Sequence, residues 1–161
     1  MRAIRTALFI VIVSFALAAC GSTSTASGTP GSAATAAPSP AATAAPVVKT
    51  GTATVSGAST TVLTDAQGLT LYYRSGDGPT TVTCTGGCAA NWPPVLLASG
   101  TPTAAGGATG ALTVFAGPDG RQVLYNGHPL YLWVKDSAPG QATGQNIGGF
   151  KVVTPDIAVA G

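Results

Sequence analysis

Residues 51–161 are predicted to form one small all-β domain. This region is rich in Thr, Val, Leu and Tyr, it is interrupted by Gly, Pro and Asp, and it lacks the apolar period of an amphipathic helix. Its length of about 110 residues is enough for one hydrophobic core. We expect a small antiparallel sheet or sandwich of two related hairpin or meander halves, behind a disordered N-terminal tether.

The first half contains two predicted strands on either side of a turn. Residues 60–63 and 69–73 are mostly β-branched, apolar or aromatic, and residues 65–68 between them read Asp-Ala-Gln-Gly. Asp and Gly favour a tight turn, because Asp bonds its own backbone and Gly tolerates positive φ.

The second half contains a predicted three-stranded meander and a final strand. Residues 112–115 and 121–125 are separated by Gly-Pro-Asp-Gly at 117–120, which is a turn signature. Residues 150–153 supply a last strand of Phe, Lys and Val.

The second turn of the meander is the clearest local signal. Asn126 and Gly127 separate apolar runs at 122–125 and 130–133, and both residue types tolerate the positive φ of a type I′ turn. Because Pro129 lacks a backbone N–H, we expect it at a sheet edge or at the first paired position of its strand.

Residues 1–19 have the features of an export signal. Arg2 and Arg5 precede an uncharged apolar run that ends at Ala19. The run of about 13 residues is shorter than the roughly 20 that a membrane-spanning helix needs.

The end of this signal, Leu17-Ala18-Ala19-Cys20, resembles the lipobox of bacterial lipoproteins. The resemblance implies cleavage before Cys20 and a diacylglyceryl thioether on its sulfur, with acyl chains such as palmitate holding the protein on the outer face of a bacterial membrane. The alternative is an unmodified thiol beside an ordinary signal cleavage site.

Residues 20–50 are predicted to be a lipid-anchored, low-complexity linker. They consist almost wholly of Ser, Thr, Ala, Gly and Pro, and such a chain cannot bury enough apolar surface to offset its ordering entropy. Its typical reach is on the order of 30 Å, which is enough to lift the domain off the lipid headgroups.

Removal of residues 1–19 leaves a chain close to neutral, with five basic residues and five Asp. The basic residues are scattered singly, as Lys49, Arg74, Arg121, Lys135 and Lys151. Nucleic-acid binding calls for a basic patch, so we expect no nucleic-acid partner.

The two halves of the domain share a spaced pair of residues. Tyr72 and Asp77 recur as Tyr131 and Asp136, 59 positions later, and a leucine precedes each tyrosine. A fixed offset of this kind indicates an internal repeat.

This pattern, with the intervening Cys-Thr-Gly-Gly-Cys-Ala-Ala-Asn-Trp-Pro-Pro at 84–94, resembles bacterial secreted-repeat lipoproteins defined by a Tyr-x-aromatic-x-x-Asp motif. The second copy fits fully, with Trp133 at the aromatic position, whereas Arg74 takes that position in the first copy. The resemblance implies two repeats, at about 60–97 and 112–155, in an extracytoplasmic lipoprotein. It implies no biochemical activity.

Cys84 and Cys88 are predicted to form a disulfide, because they lie close together in an exported domain and leave Cys20 for lipid. Closing so short a loop stabilises the fold by about 2 kcal/mol. The alternative is a redox-active pair. However, no Lys, Arg or His lies within nine residues to lower a thiol pKa.

Other catalytic sites are poorly supplied. His128 is the only histidine and follows a tight turn, so we expect it to be exposed. The sequence contains no Cys-x-x-Cys-His for haem, too few ligands for a catalytic metal, and no Gly-x-Ser-x-Gly elbow for a hydrolase. We expect no enzyme activity, no metal, and no cofactor beyond the lipid on Cys20.

Asp77 and Asp136 are expected to cap their turns by accepting backbone N–H bonds. The alternative is a shared calcium site. The aromatic residues are expected to form the core, unless Trp92 or Trp133 stands exposed as a glycan-binding platform. The candidate ligand-binding or family-motif residues are Tyr72, Asp77, Trp92, Tyr131, Trp133 and Asp136.

These observations predict a membrane-anchored extracytoplasmic lipoprotein that is a non-catalytic binding or structural module of the cell envelope. Its expected partners are the membrane and an envelope glycan or protein. The alternative is an extracytoplasmic redox or electron-transfer accessory protein that uses Cys84 and Cys88. A hydrolase built on His128 is a third interpretation, which a buried and unpartnered His128 would remove.

Overall fold

The computed structural model describes residues 47–161, and this part of the chain contains eight β-strands and no helix. The strands are, in chain order, β1 (Val48–Val55), β2 (Ala58–Thr64), β3 (Tyr72–Arg74), β4 (Ala104–Ala105), β5 (Leu112–Gly117), β6 (Gly120–Tyr125), β7 (His128–Pro129) and β8 (Phe150–Val152). The predicted all-β class is confirmed. The predicted signal, most of the predicted linker and Cys20 lie outside the described residues.

The strands form three small sheets, with the orders β2-β1-β4, β3-β8 and β5-β6-β7. Every strand pair is antiparallel except that of β1 with β4, which is parallel. The predicted meander is present as β5-β6-β7, in which each strand pairs with the next along the chain.

The first hairpin pairs β2, which contains the predicted strand at 60–63, with a strand that was not predicted, β1. β1 starts at Val48, so the last residues of the predicted 20–50 linker belong to the domain. Ser56 and Gly57, both with positive φ, form the two-residue turn into β2. This strand was not predicted because Thr and Gly occupy half of its positions, although Ala53 is almost fully buried.

Asn126 and Gly127 have φ values of 48° and 79°, as a type I′ turn requires. Pro129 lies in β7 at the edge of its sheet, as expected for a residue without an N–H. The predicted strand at 130–133 is wrong, because β7 ends at Pro129 and the chain then crosses to pair with the first repeat.

The first repeat is completed by a segment from the second. The Leu63 N–H donates to the Val153 carbonyl at 2.8 Å, and the Val153 N–H donates to the Leu71 carbonyl at 2.9 Å. The Leu71 N–H donates back to the Leu63 carbonyl at 2.9 Å, which closes a ring of three buried residues.

The second repeat contains an equivalent ring of three backbone hydrogen bonds, in which two residues belong to the second repeat and one to the first. Val123 donates to Val95 at 2.8 Å, Val95 donates to Leu130 at 2.9 Å, and Leu130 donates back to Val123 at 3.0 Å, all through the backbone. Here Val95 comes from the first repeat. Because buried backbone groups need hydrogen-bond partners, each repeat depends on a segment contributed by the other.

Tyr72 and Tyr131 lie where the two repeats meet. The Tyr72 N–H donates to the Tyr131 carbonyl at 2.9 Å, and the Tyr131 N–H donates to the Tyr72 carbonyl at 2.8 Å. The residues thus form a hydrogen-bonded antiparallel pair. Both are fully buried, in a cluster that also holds Trp92, Trp133 and Phe150.

Candidate functional site

The two copies of the motif are joined by crossed hydrogen bonds. The Tyr72 hydroxyl donates to Oδ2 of Asp136 at 2.5 Å, and the Tyr131 hydroxyl donates to Oδ2 of Asp77 at 2.7 Å. Each tyrosine therefore binds the aspartate of the other repeat rather than that of its own. Both carboxylates are buried, with Asp77 6% and Asp136 5% exposed.

A threonine occupies the other oxygen of each carboxylate. Oδ1 of Asp77 accepts bonds from the Thr83 N–H at 3.1 Å and from its hydroxyl at 2.5 Å. Oδ1 of Asp136 accepts the same two bonds from Thr143, at 2.9 and 2.6 Å. The expected capping of backbone N–H groups is confirmed, and every donor is uncharged.

Burial raises the pKa of the Tyr72 and Tyr131 phenols above their ordinary value, and the hydrogen bond to the partner aspartate raises each pKa further. Ionisation of either phenol would leave a second anion beside the carboxylate. The crossed pairs therefore hold the tyrosines in their neutral, proton-donating form.

Trp92 lies in the middle of an aromatic stack. Its ring stacks on Phe150 with 3.8 Å between ring centres, and on Trp133 with 4.2 Å. Tyr72 meets Trp92 edge-on at 5.3 Å, and Tyr131 meets Phe150 edge-on at 5.2 Å. Since such pairs contribute about 0.5–1.5 kcal/mol each, this stack is a major contact between the repeats.

Arg74 occupies in the first copy the position that Trp133 has in the second. Its guanidinium carbon lies 5.8 Å from the ring centre of Phe150, and its Nη1 donates to the Thr83 hydroxyl. At the other end of the stack, Nζ of Lys135 lies 5.6 Å from the ring centre of Trp133. A cation thus lies over each end of the stack.

The structure brings the six candidate residues together and buries them. Trp92 and Trp133 are 5% and 7% exposed, so they do not form the open platform that glycan binding through their rings requires. The expectation that they belong to the core is confirmed. Thr83, Thr143 and Phe150 were not predicted to belong to this site, and the only sequence signal for the threonines is their similar spacing after each aspartate.

Cys84 and Cys88 form a disulfide, with their Cα atoms 5.1 Å apart. Cys84 is fully buried in the aromatic cluster, and Cys88 is half-buried at its edge. The Cys88 carbonyl accepts bonds from the N–H groups of Asn91 at 3.0 Å and Trp92 at 2.9 Å. The disulfide therefore fixes the loop that places Trp92 in the stack.

His128 is half-buried, so the expectation of an exposed ring is wrong. Its ring packs on Tyr73 with 4.8 Å between centres, and its Nε2 lies 3.0 Å from the Ala158 carbonyl oxygen, which accepts a hydrogen bond from it. Its Nδ1 is buried without a partner among the described residues. Neither nitrogen is thus paired with an aspartate or a serine, as a hydrolase would require.

Two open cavities lie on the surface. The first, of about 290 Å³, is lined by residues 65–67, Val47, Pro94, Val95, Leu96 and Leu132. The second, of about 410 Å³, is lined by residues 76–81, His128, Ala160 and Gly161. Asp77 reaches the second cavity, but both of its oxygens are already bonded to Thr83 and Tyr131. Within residues 47–161, no cluster of three or more His, Cys, Asp or Glu side chains could hold a metal ion.

Comparison with known families identifies the repeats. The model of a family described as a secreted repeat of unknown function matches residues 53–96 and again residues 113–153, which together exceed half of the chain. The chain belongs to this secreted-repeat family. No curated protein and no solved structure matches it.

Each matched segment of this secreted-repeat protein carries one tyrosine and one aspartate of the motif. The crossed bonds therefore join one family unit to the other. Membership of a secreted family also gives the protein an extracytoplasmic location. Residues 47–161 contain no helix with the length and the hydropathy that crossing a membrane requires.

Proposed function

We propose that this secreted-repeat protein is a lipid-anchored, non-catalytic module of the cell envelope, which acts by binding or by structural presence outside the membrane. One observation carries this proposal. The tyrosine and aspartate that recur in the two repeats are bonded to one another across the repeat interface, through Tyr72 with Asp136 and Tyr131 with Asp77. The motif thus maintains the architecture of the domain.

The bonding of the carboxylates supports a non-catalytic role. A general base needs a lone pair within reach of a substrate proton. Asp77 and Asp136 each accept three bonds from protein donors and are almost fully buried. Their proton-accepting oxygens are occupied by residues of the fold itself.

The proposed anchor is a diacylglyceryl group on Cys20, and the proposed partners are the membrane and an envelope glycan or protein. The lipobox residues at 17–20 and the family's secreted character support the anchor. A glycan or protein would bind outside the buried tryptophan stack, since those rings are not accessible. Because the basic residues are scattered along the sequence, we propose no nucleic-acid partner.

Metabolic labelling tests the anchor. The full chain, the Cys20→Ala variant and the Cys84→Ala/Cys88→Ala variant are produced in a bacterium that processes lipoproteins, with an alkyne analogue of palmitate in the medium. We expect label and membrane association for the wild type and the double variant, and neither for Cys20→Ala. Label on Cys20→Ala, or its unchanged membrane association, would refute the proposed anchor.

A redox or electron-transfer role for Cys84 and Cys88 is the second candidate, because the disulfide lies in the same cluster as the stacked Trp92 and Trp133. The midpoint potential of the pair separates the two functions. A value below about −300 mV is that of a structural disulfide, whereas a value near −200 mV or above permits exchange with extracytoplasmic thiols.

A further inference from the structure

We propose that Cys88 is the sulfur at which an external thiol attacks the disulfide, and that opening the bond releases Trp92 from between Phe150 and Trp133, which loosens the contact between the repeats. The disulfide would then act as a redox-sensitive latch. This proposal depends on contacts within residues 84–92 and not on the lipid anchor.

The unequal burial of the two sulfur-bearing residues determines the point of attack. Cys84 has no exposed surface and packs within the aromatic cluster. Cys88 is half-buried and follows the exposed Gly86 and Gly87. Since thiol–disulfide exchange depends on access to the attacked sulfur, an external thiolate reaches Cys88 first.

A small dithiol opens the disulfide in two steps of thiol–disulfide exchange. Its first thiolate attacks Sγ of Cys88, forming a mixed disulfide and breaking the bond to Cys84, whose sulfur leaves with the electron pair and takes up a proton. The second thiolate then attacks the mixed disulfide and releases Cys88 as a thiol. Both cysteines are reduced, and the dithiol is oxidised to a cyclic disulfide.

The backbone connects this bond to the tryptophan. The Cys88 carbonyl accepts both the Asn91 and the Trp92 N–H groups, at 3.0 and 2.9 Å. Just beyond, the Asn91 carbonyl accepts the Val134 N–H of the second repeat at 3.2 Å. Movement of Cys88 therefore disturbs the segment that holds Trp92 against the other repeat.

The second repeat holds its equivalent loop without a disulfide. There Ile147 donates to the Gly144 carbonyl at 3.1 Å, and Phe150 donates to the Ile147 carbonyl at 3.0 Å. The Val152 N–H also donates to Oε1 of Gln145 at 2.9 Å. Phe150 is thus held by hydrogen bonds alone, whereas the loop of Trp92 has a reducible covalent bond in addition to its hydrogen bonds. Reduction therefore acts directly on one side of the stack only.

Trapping of the mixed disulfide tests the point of attack. The full chain carrying Cys20→Ala, in which Cys84 and Cys88 are the only cysteines, is incubated with glutathione, quenched with an alkylating reagent and mapped by peptide mass spectrometry. We expect the glutathione adduct on Cys88 and the alkyl group on Cys84, by at least about tenfold over the reverse. Equal adducts, a preference for Cys84, or no adduct at all would overturn this assignment.

Quenching of tryptophan fluorescence by iodide tests the release of Trp92. The same protein, with and without Trp133→Phe, is measured before and after reduction by dithiothreitol, and alkylation confirms that both thiols are free. We expect the quenching constant to rise several-fold in both proteins while the far-ultraviolet circular dichroism stays unchanged. An unchanged constant, or unfolding of the whole domain, would contradict a local latch.

Discussion

The Tyr131 hydroxyl donates its hydrogen bond to Asp77, 54 positions earlier in the chain, at 2.7 Å. The equivalent bond from Tyr72 to Asp136 spans 64 positions. A motif that looks local in the sequence, with four residues between tyrosine and aspartate, therefore works only as a pair of copies. One repeat of the family therefore supplies only one tyrosine and one aspartate of the two crossed pairs.

Replacing Tyr131 by Phe removes the donor and keeps the ring. We expect Tyr131→Phe to lower the free energy of unfolding by about 1–3 kcal/mol, because Asp77 then keeps a buried oxygen without its partner. Urea denaturation followed by circular dichroism measures the loss. Tyr73→Phe is the matched control, since Tyr73 is only half-buried and takes no part in the crossed bonds, and it should change stability by less than about 0.5 kcal/mol.

Alkaline pH should destabilise the fold through the same two phenols. Their pKa is raised in the folded state by burial and by the bonds to Asp136 and Asp77, whereas an unfolded phenol ionises at about pH 10. The stabilisation is therefore complete below that pH and is lost as the pH rises above it. Linkage gives a decline of about 1.4 kcal/mol per pH unit for each phenol.

Urea midpoints measured between pH 8 and 11 check this dependence. The wild type should lose stability above about pH 10 more steeply than the Tyr72→Phe/Tyr131→Phe variant. Parallel curves for the two proteins would show that the phenols ionise as easily in the folded state as in the unfolded chain.

Gly144 lies against the tryptophan stack. A Cβ at this position would approach Trp92 Cη2 to 2.7 Å and Trp133 Cγ to 3.0 Å. We expect Gly144→Ala to cost about 1–3 kcal/mol through overpacking and to shift the tryptophan emission. Gly87→Ala, where a Cβ meets nothing within 4 Å, is the matched control, and equal effects of the two variants would contradict the prediction.

Arg74 contributes through its position over Phe150. We expect Arg74→Ala to lower stability by about 1 kcal/mol, and Arg74→Trp, which copies Trp133 of the second repeat, to recover most of that loss. Thermal unfolding monitored by circular dichroism compares them. Lys151→Ala, an exposed cation on β8, is the control and should have little effect.

The turns were predictable because their chemistry is local. Asn126 and Gly127 favour positive φ wherever they occur together, and the Pro-Asp pair between β5 and β6 closes its hairpin with Gly117 opposite Gly120. These features depend on neighbours in the sequence, so periodicity and turn signals identified the meander.

Contacts between the repeats were not predictable in the same way. β1 is rich in Thr, and its buried Ala53 gains its environment from the aromatic cluster. The parallel pairing of Val48 with Ala104 joins residues far apart in sequence. Residues 130–133 have the composition of a strand, but the chain there leaves its hairpin to meet the first repeat. In each case distant residues override the local pattern.

The sequence was sufficient to select the residues of the candidate site but not to show that they join the two repeats. Tyr72, Asp77 and their second copies were selected because they recur, and the conclusion that they bond across copies requires the fold. The aromatic position of the first copy illustrates the same limit. Arg74 departs from the motif in sequence, yet it takes the equivalent place beside Phe150.

The segments that the two repeats exchange also set the order in which an exported chain can fold. Leu63 and Leu71 reach the outside of the membrane well before Val153, which completes their hydrogen-bonded ring. Because chains generally emerge N-terminus first, the apolar residues of the first repeat stay exposed to solvent until the second repeat has been exported. Truncation before Val153 would therefore damage the half of the domain that was made first.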